Sequence, residues 1–258
     1  MEKSYHIGIP VDFNGVQPNH FGAPMALSEP LKANGFVGST RLGGSCNVAA
    51  ITMVPHCNGT HTECVGHISS HEEAIHECLK DTLVPATLIS IKPVQGKDTD
   101  ETYAPNKEDS DLLITKASLE HALNESSNPF SEAVIIRTIP NPISKKGVSY
   151  GAHSQVPFLS FDAVKFLKRL KIKHLLVDFP SIDKMYDEGK LNNHHFFWGR
   201  GAHKAEQHEN DQYKTITEMI YVDNEISDGY YLLNLQIPSF MADAAPSRPI
   251  LYPLEEGS

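Results

Sequence analysis

Six stretches of the chain concentrate β-branched, aromatic and other apolar side chains. They are residues 47–54 (NVAAITMV), 86–94 (ATLISIKPV), 133–139 (AVIIRTI), 174–179 (HLLVDF), 216–223 (ITEMIYVD) and 230–238 (YYLLNLQIP). Runs of this length and composition read as strands. Several are apolar nearly throughout rather than alternating, which predicts strands covered on both faces, as in an α/β sheet. Three further stretches carry helix signals. In 69–80 (SSHEEAIHECLK), serine caps precede Glu72 and Glu73, acids that favour a helix N-terminus. In 115–126 (TKASLEHALNES), Leu119, Ala122 and Leu123 share a face behind Thr115 as cap. In 160–172 (SFDAVKFLKRLKI), Val164, Leu167 and Leu170 follow Ser160 at helical spacing, and the segment runs into the strand at His174.

Two connections, 10–24 and 181–214, are long and rich in turn formers. Loops of that length in compact domains are usually functional or disordered. No repeat, low-complexity tract or composition shift divides the chain, so one domain over 1–258 is expected.

Composition narrows the function classes. Hydrophobic residues make up 40% and charged residues 21%, enough for a real core. The net charge of −10 is scattered and leaves no basic stripe for nucleic acid. No apolar run approaches the roughly 20 residues that span a bilayer. The opening MEKSYHIGIPVDF lacks a signal-peptide pattern. Cys46, Cys57, Cys64 and Cys78 suit a reducing cytoplasm better than a disulfide framework.

The chemistry concentrates in 54–70, VPHCNGTHTECVGHISS, where His56, His61, His67, Glu63, Cys57 and Cys64 fall within twelve positions. The Asn58-Gly59 pair turns the chain at the end of the 47–54 strand. His61 and Glu63 lie two apart, so in extended backbone they share a face. His67 can curl back from four residues beyond, and His56 can close on the same point. Neutral imidazole with carboxylate is a ligand set for Zn²⁺ or Mn²⁺. Cys64 and Cys78 read as small packed residues. Glu218 sits inside an apolar strand, where an unpaired carboxylate is costly unless it binds a cation.

The stretch HCNGTHTECVGH resembles the H-x-G-T-H-x-D-x-P-x-H motif of the cyclase-like metal-dependent hydrolases, of the kynurenine formamidase and isatin hydrolase type. Gly59, Thr60, His61, the acid at 63 and His67 match in register. There are three departures. One extra residue precedes Gly59, so strict spacing puts the first histidine on Cys57, whereas VPH favours His56 with a one-residue bulge. Glu63 replaces Asp, and Val65 replaces Pro. Later motifs match in order: Asp178, Ser181 and Asp183 in LLVDFPSID, a histidine in LNNHHFF, an acid in ITEMIYV, then Asp243, Pro246 and Arg248 near the end. His194 is favoured over His195, since only one of two neighbours can face a site in extended chain. The spacing from His194 to Glu218 is about twice the family's, so 199–214 reads as an insertion.

The resemblance implies an α/β fold, a single-domain mixed sheet with a barrel-like core and surrounding helices of the swivelling β/β/α type. It implies His56, His61, Glu63, His67, His194 and Glu218 as metal ligands, holding one or two Zn²⁺ ions or one Mn²⁺. It implies hydrolysis of a formamide or cyclic amide by activated water, with His67 or Glu218 moving the proton. A polyketide-type cyclase or lyase and a non-catalytic metal-binding module are the alternatives. Asp178 and Asp183 read as supporting or turn residues, Ser181 as a turn serine, and Arg248 as an anion anchor or a loop ion pair. His153 has no assignable role. Phe13, Phe21 and Trp198 lie in long loops and can line a pocket for a small-molecule substrate. A homodimer or dimer of dimers is expected, with Phe13, Phe21 and Met25 packed across a two-fold axis.

Overall fold

The computed structural model describes residues 4–123, 132–151, 154–202 and 208–254. His153 and the end of the 115–126 segment lie outside these. The principal strands in chain order are β1 (Tyr5–His6), β2 (Leu27–Pro30), β3 (Ala49–Thr52), β4 (His61–Glu63), β5 (Leu83–Ile91), β6 (Ala133–Thr138), β7 (His174–Val177), β8 (Thr215–Glu218), β9 (Gly229–Asn234), β10 (Ala244–Pro246) and β11 (Ile250–Pro253). Nine of them form one open sheet in the order β1-β11-β9-β5-β6-β7-β8-β4-β10. The other two, β2 and β3, form a separate two-stranded arm. Strands β5 to β8 are parallel, and antiparallel strands flank them on both sides.

The run-like apolar pattern has a direct cause. Along β6 every residue is buried, and neighbours belong to different clusters. Val134 and Ile136 join Ile89, Ile91, Leu175, Val177 and Ile216 on the helix-covered face. Ala133 and Ile135 join Leu88, Leu176, Leu233 and Leu251 on the other. That second face is covered by other strands of the same sheet, which curls into a half-barrel over its own residues. Helix α3 (Phe161–Arg169) is capped as expected: Ser160 Oγ accepts from Ala163 N at 3.0 Å. Such a cap stabilises by about 1 kcal/mol. Helix α2 (Lys116–Leu123) begins behind Thr115, whose Oγ1 accepts from Ser118 N at 3.1 Å.

Three expectations fail. The segment 69–80 is not a full helix; only α1 (Ile75–Cys78) forms. Its backbone is used elsewhere, with Ile75 N donating to Ala242 O at 2.7 Å and Glu73 O accepting from the Cys64 thiol. Strand β3 is not covered on both faces, since all four residues are exposed. The 216–223 strand stops at Glu218, because Met219 takes a left-handed backbone (φ 52°) that breaks the ladder.

Candidate metal centre

Sheet register assembles the first part of the site. Strand β4 lies between β8 and β10, with Glu218 opposite His61 and Ala244 opposite Glu63. His61, Glu63 and Glu218 therefore share one face at the ends of adjacent strands, and Asp243 arrives just before β10. Thr60 holds the corner: its hydroxyl donates to Met219 O and accepts from Ile9 N.

His56 enters from a turn. Cys57 N and Asn58 N both donate to Val54 O, and Asn58 Oδ1 accepts from Val54 N. The extra residue is thus absorbed in a turn, not in a strand bulge. His67 enters on the short 3-10 turn Val65–Ile68. Its ring stacks on His56 with centroids 4.5 Å apart.

His194 arrives on helix α4 (Asn192–Phe197), not on extended chain. On a helix, too, neighbouring side chains point in different directions. His194 is buried in the site, and His195 is in none of the donor groups below. Asp183 fixes the helix start by accepting from Asn193 N and His194 N at 2.9 and 3.1 Å, and also receives the Tyr103 hydroxyl at 2.7 Å. Leu191, at the mouth of this helix, is left-handed (φ 45°). Strained backbone thus flanks two site residues, Glu218 and His194.

The ring nitrogens are assigned by their partners. His61 Nδ1 lies 3.0 Å from Gly59 O, so it carries the proton. Nε2 then offers a lone pair, is fully buried, and has no hydrogen bond. The Glu218 Oε2 oxygen stands 3.5 Å away. His194 repeats the design: Nδ1 meets Asp183 Oδ2 at 2.6 Å, while Nε2 faces Glu63 Oε1 at 2.9 Å and Glu218 Oε1 at 3.7 Å. A carboxylate behind a histidine that presents its other nitrogen is the usual support of a metal ligand.

Glu63 divides its oxygens. Oε1 faces His194, and Oε2 faces His56 Nε2 at 3.5 Å and His67 Nδ1 at 3.8 Å. Asp243 Oδ2 lies 3.0 Å from His56 Nε2 and 3.4 Å from His67 Nδ1. Three donor groups result: His56 with His67 and Asp243; Glu63 with His67 and His194; His61 with Glu63 and Glu218, each within 4.8 Å. Electrostatics follow. Burial works against the Glu63 carboxylate, but the surrounding imidazoles pull its pKa far below the ordinary range. Burial likewise works against charge on His61 and His194, yet Glu218 raises the first, and Glu63 with Asp183 raises the second.

All six expected ligand residues therefore converge, and Asp243, matched in the sequence only as part of a motif, stands among them. Cys57 does not join a donor group; burial and Glu218 push its thiol pKa up. Asp178 is engaged with Thr138 and Lys145, at 2.9 and 2.8 Å. Ser181 Oγ accepts from Asp183 N. Arg248 shows no ion pair among the described residues. The buried Trp198 ring lies 5.5 Å from His194, whereas Phe21 is exposed and leans on His20. The signal that would have found Asp243 was its place beside a strand neighbouring His61, which only the sheet order reveals.

The donor set fits a divalent metal: a bare, buried imidazole lone pair aimed at carboxylates has few other uses. The sequence model of the Cyclase family, described as putative cyclase, matches residues 7–184, and the chain belongs to that family. Its relatives include the kynurenine formamidases of Bacillus mycoides and Bacillus cereus, each 25% identical over 212 residues, 82% of both chains. Isatin hydrolase A from Labrenzia aggregata, solved with benzyl benzoate, shares the fold at a TM-score of 0.59 and 13% identity, covering 96% of this chain and 93% of that one. An isatin hydrolase solved with the product analogue thioisatinate superposes at 0.62 with 12% identity, covering 98% and 93%.

Proposed function

We propose that the chain is a metal-dependent hydrolase that cleaves a formamide or cyclic-amide C–N bond. The observation that carries this reading is the orphaned, buried Nε2 of His61, converging with Glu63 and Glu218. The kynurenine formamidase relatives support the bond type. His56, His61, Glu63, His67, His194 and Glu218 would hold the ion or ions, zinc or manganese, with Asp243 as a seventh donor. The split use of the two Glu63 oxygens favours two ions. A divalent metal held there supplies Lewis-acid polarisation of a carbonyl and a lowered pKa for water.

The chain's own residues do the rest. Asp183 fixes the His194 proton on Nδ1 and keeps Nε2 facing inward. Gly59 O does the same for His61. Where the other donors hold a single ion and His67 is left out of its ligands, His67, partly exposed at the rim with Asp243 beside its Nδ1, would carry the proton to the departing nitrogen; Glu218 is the other proton acceptor within reach. Trp198 lies behind His194 and excludes water from that side. Metal-loaded protein is expected to hydrolyse an N-formylated aromatic amine or isatin. Turnover of neither, with a full complement of metal, would overturn the reading in favour of a cyclase or lyase.

We also infer a homodimer or dimer of dimers. Met25, Leu27 and Ile51 are at least half exposed on or beside the two-stranded arm, and Phe21 on the preceding loop is exposed as well. A lone two-stranded ribbon is marginal in water, so a second copy is the natural cover. The four cysteines form no disulfide, which supports a cytoplasmic setting.

A further inference from the structure

Between the end of α3, the start of β7 and the 208–214 segment lies a cavity of about 760 Å³ that contains none of the metal-site residues. Its size falls in the range of small-molecule sites. Five cationic side chains line it: Lys168, Arg169, Lys171, Lys173 and Lys214. This reverses the character of the chain, which carries 22 basic against 32 acidic residues. Three carboxylates share the lining, and only one reaches the interior. Asp211 accepts from Lys168 Nζ at 3.0 Å and pairs with Lys214 Nζ at 2.8 Å. Both lysines and the aspartate are buried. Two ammonium groups on one carboxylate leave an excess positive charge out of water, an arrangement that is costly unless an anion offsets it. Burial and the nearby Lys168 ammonium lower the Lys214 pKa against the pull of Asp211. At the rim, exposed Lys171 has no ion pair among the described residues. Arg169 only loosely meets Glu120, at 3.6 Å and two-thirds exposed.

The cavity is wired to the helix that carries His194. Lys168 Nζ donates to Phe196 O at 3.0 Å, and Trp198 Nε1 donates to Lys214 O at 3.0 Å. The two ammonium groups also stand over the rings of Phe196 and Phe197.

We propose that this cavity binds a small phosphorylated metabolite, whose phosphate sits among Lys168, Lys214, Arg169 and Lys171. A cavity of this volume suits a small ligand better than a polymer. Binding there shifts the hydrogen bonds of Lys168 and Lys214, and so the surroundings of Trp198. The proposal stands apart from the hydrolase reading, since it uses none of the metal-site residues.

Trp198 is the sole tryptophan, so its fluorescence reports the site. Titration of the metal-loaded protein with glycerol 3-phosphate should give a saturable change, weakened by added salt. The doubly substituted Arg169→Glu, Lys171→Glu protein keeps the fold, because both side chains are at the surface. It should bind about ten-fold more weakly or worse. Glu63→Ala, which dismantles the metal centre, should bind as before. No saturable signal at millimolar phosphate ester would overturn the proposal. So would a signal that survives in the double variant, or one lost in Glu63→Ala, which would move the phosphate to the metal centre.

Discussion

Strands β3 and β4 follow one another within a few residues and invert the ordinary rule of burial. Ala49–Thr52 is apolar at three of its four positions and exposed at all of them; His61–Glu63 is polar and buried at every position. Apolar surface in water and polar groups in the core are both unfavourable for an isolated chain. Each therefore fits one of the proposals above: a second copy over β3, and an ion against β4. Burial that contradicts residue type says more about function here than the residue types alone.

The comparison breaks most sharply at β4. His61→Ala or Glu63→Ala should lose metal and hydrolysis together, with the rate at background. The remaining donors come from other segments and cannot take the vacated direction. Metal content by elemental analysis, beside the rate, checks this. Full metal with wild-type rate in either variant would remove the site assignment.

A buried polar group outside the site sharpens the contrast. His174 in β7 is fully buried, bonded to Thr215 Oγ1 at 2.8 Å and Asp81 at 3.2 Å. Burial lowers its pKa to about 4. Above its unfolded value near 6.5, both states are neutral and pH has no effect through this residue. Below it the unfolded chain takes a proton that the folded chain refuses, so stability falls down to about pH 4, by up to about 3 kcal/mol. Denaturant midpoints for wild type and His174→Gln should differ by a constant amount above pH 6.5 and converge toward pH 4. Parallel curves would show that His174 titrates normally.

Smaller effects follow from the supports. Asp183→Asn keeps the shape but weakens the hold on the His194 tautomer and on the start of α4. Metal affinity should fall about 10- to 100-fold. An unchanged affinity would mean that packing alone positions His194. At the other pole, Leu27→Glu with Ile51→Glu places charge on the exposed arm. Light scattering should show the assembly drop from two or four chains to one, at 28.5 kDa. A wild-type protein that is already monomeric would dismiss the arm as an interface.

The sequence pattern located six strands because sustained β-branched runs carry their own signal, and the Gly59 to His67 motif stood out because its histidines and acid are close in the chain. Faces were less legible. The same apolar run describes β6, covered by helices and by the curled sheet, and β3, exposed along its length among the described residues. Helix α4 was hidden because its cap is not local: Asp183, ten positions before Asn193, supplies the acceptors that a serine or threonine would usually provide next to the helix. Asp243 was hidden for a similar reason, since only the pairing of β10 with β4 brings it to the imidazoles.

The smallest expected effect decides between neighbours in one turn. Strict motif spacing assigns the first ligand to Cys57, but the turn built on Val54 O aims His56 at Glu63 and Asp243. The Cys57 thiol stands near Glu218, whose negative charge, with burial, disfavours the thiolate that a metal would need. Cys57→Ser should therefore leave metal content and rate nearly as in wild type, whereas His56→Ala should lower both. Purified variants compared by elemental analysis give the answer. The opposite pattern would make Cys57 the ligand and the site a softer one, favouring zinc over manganese.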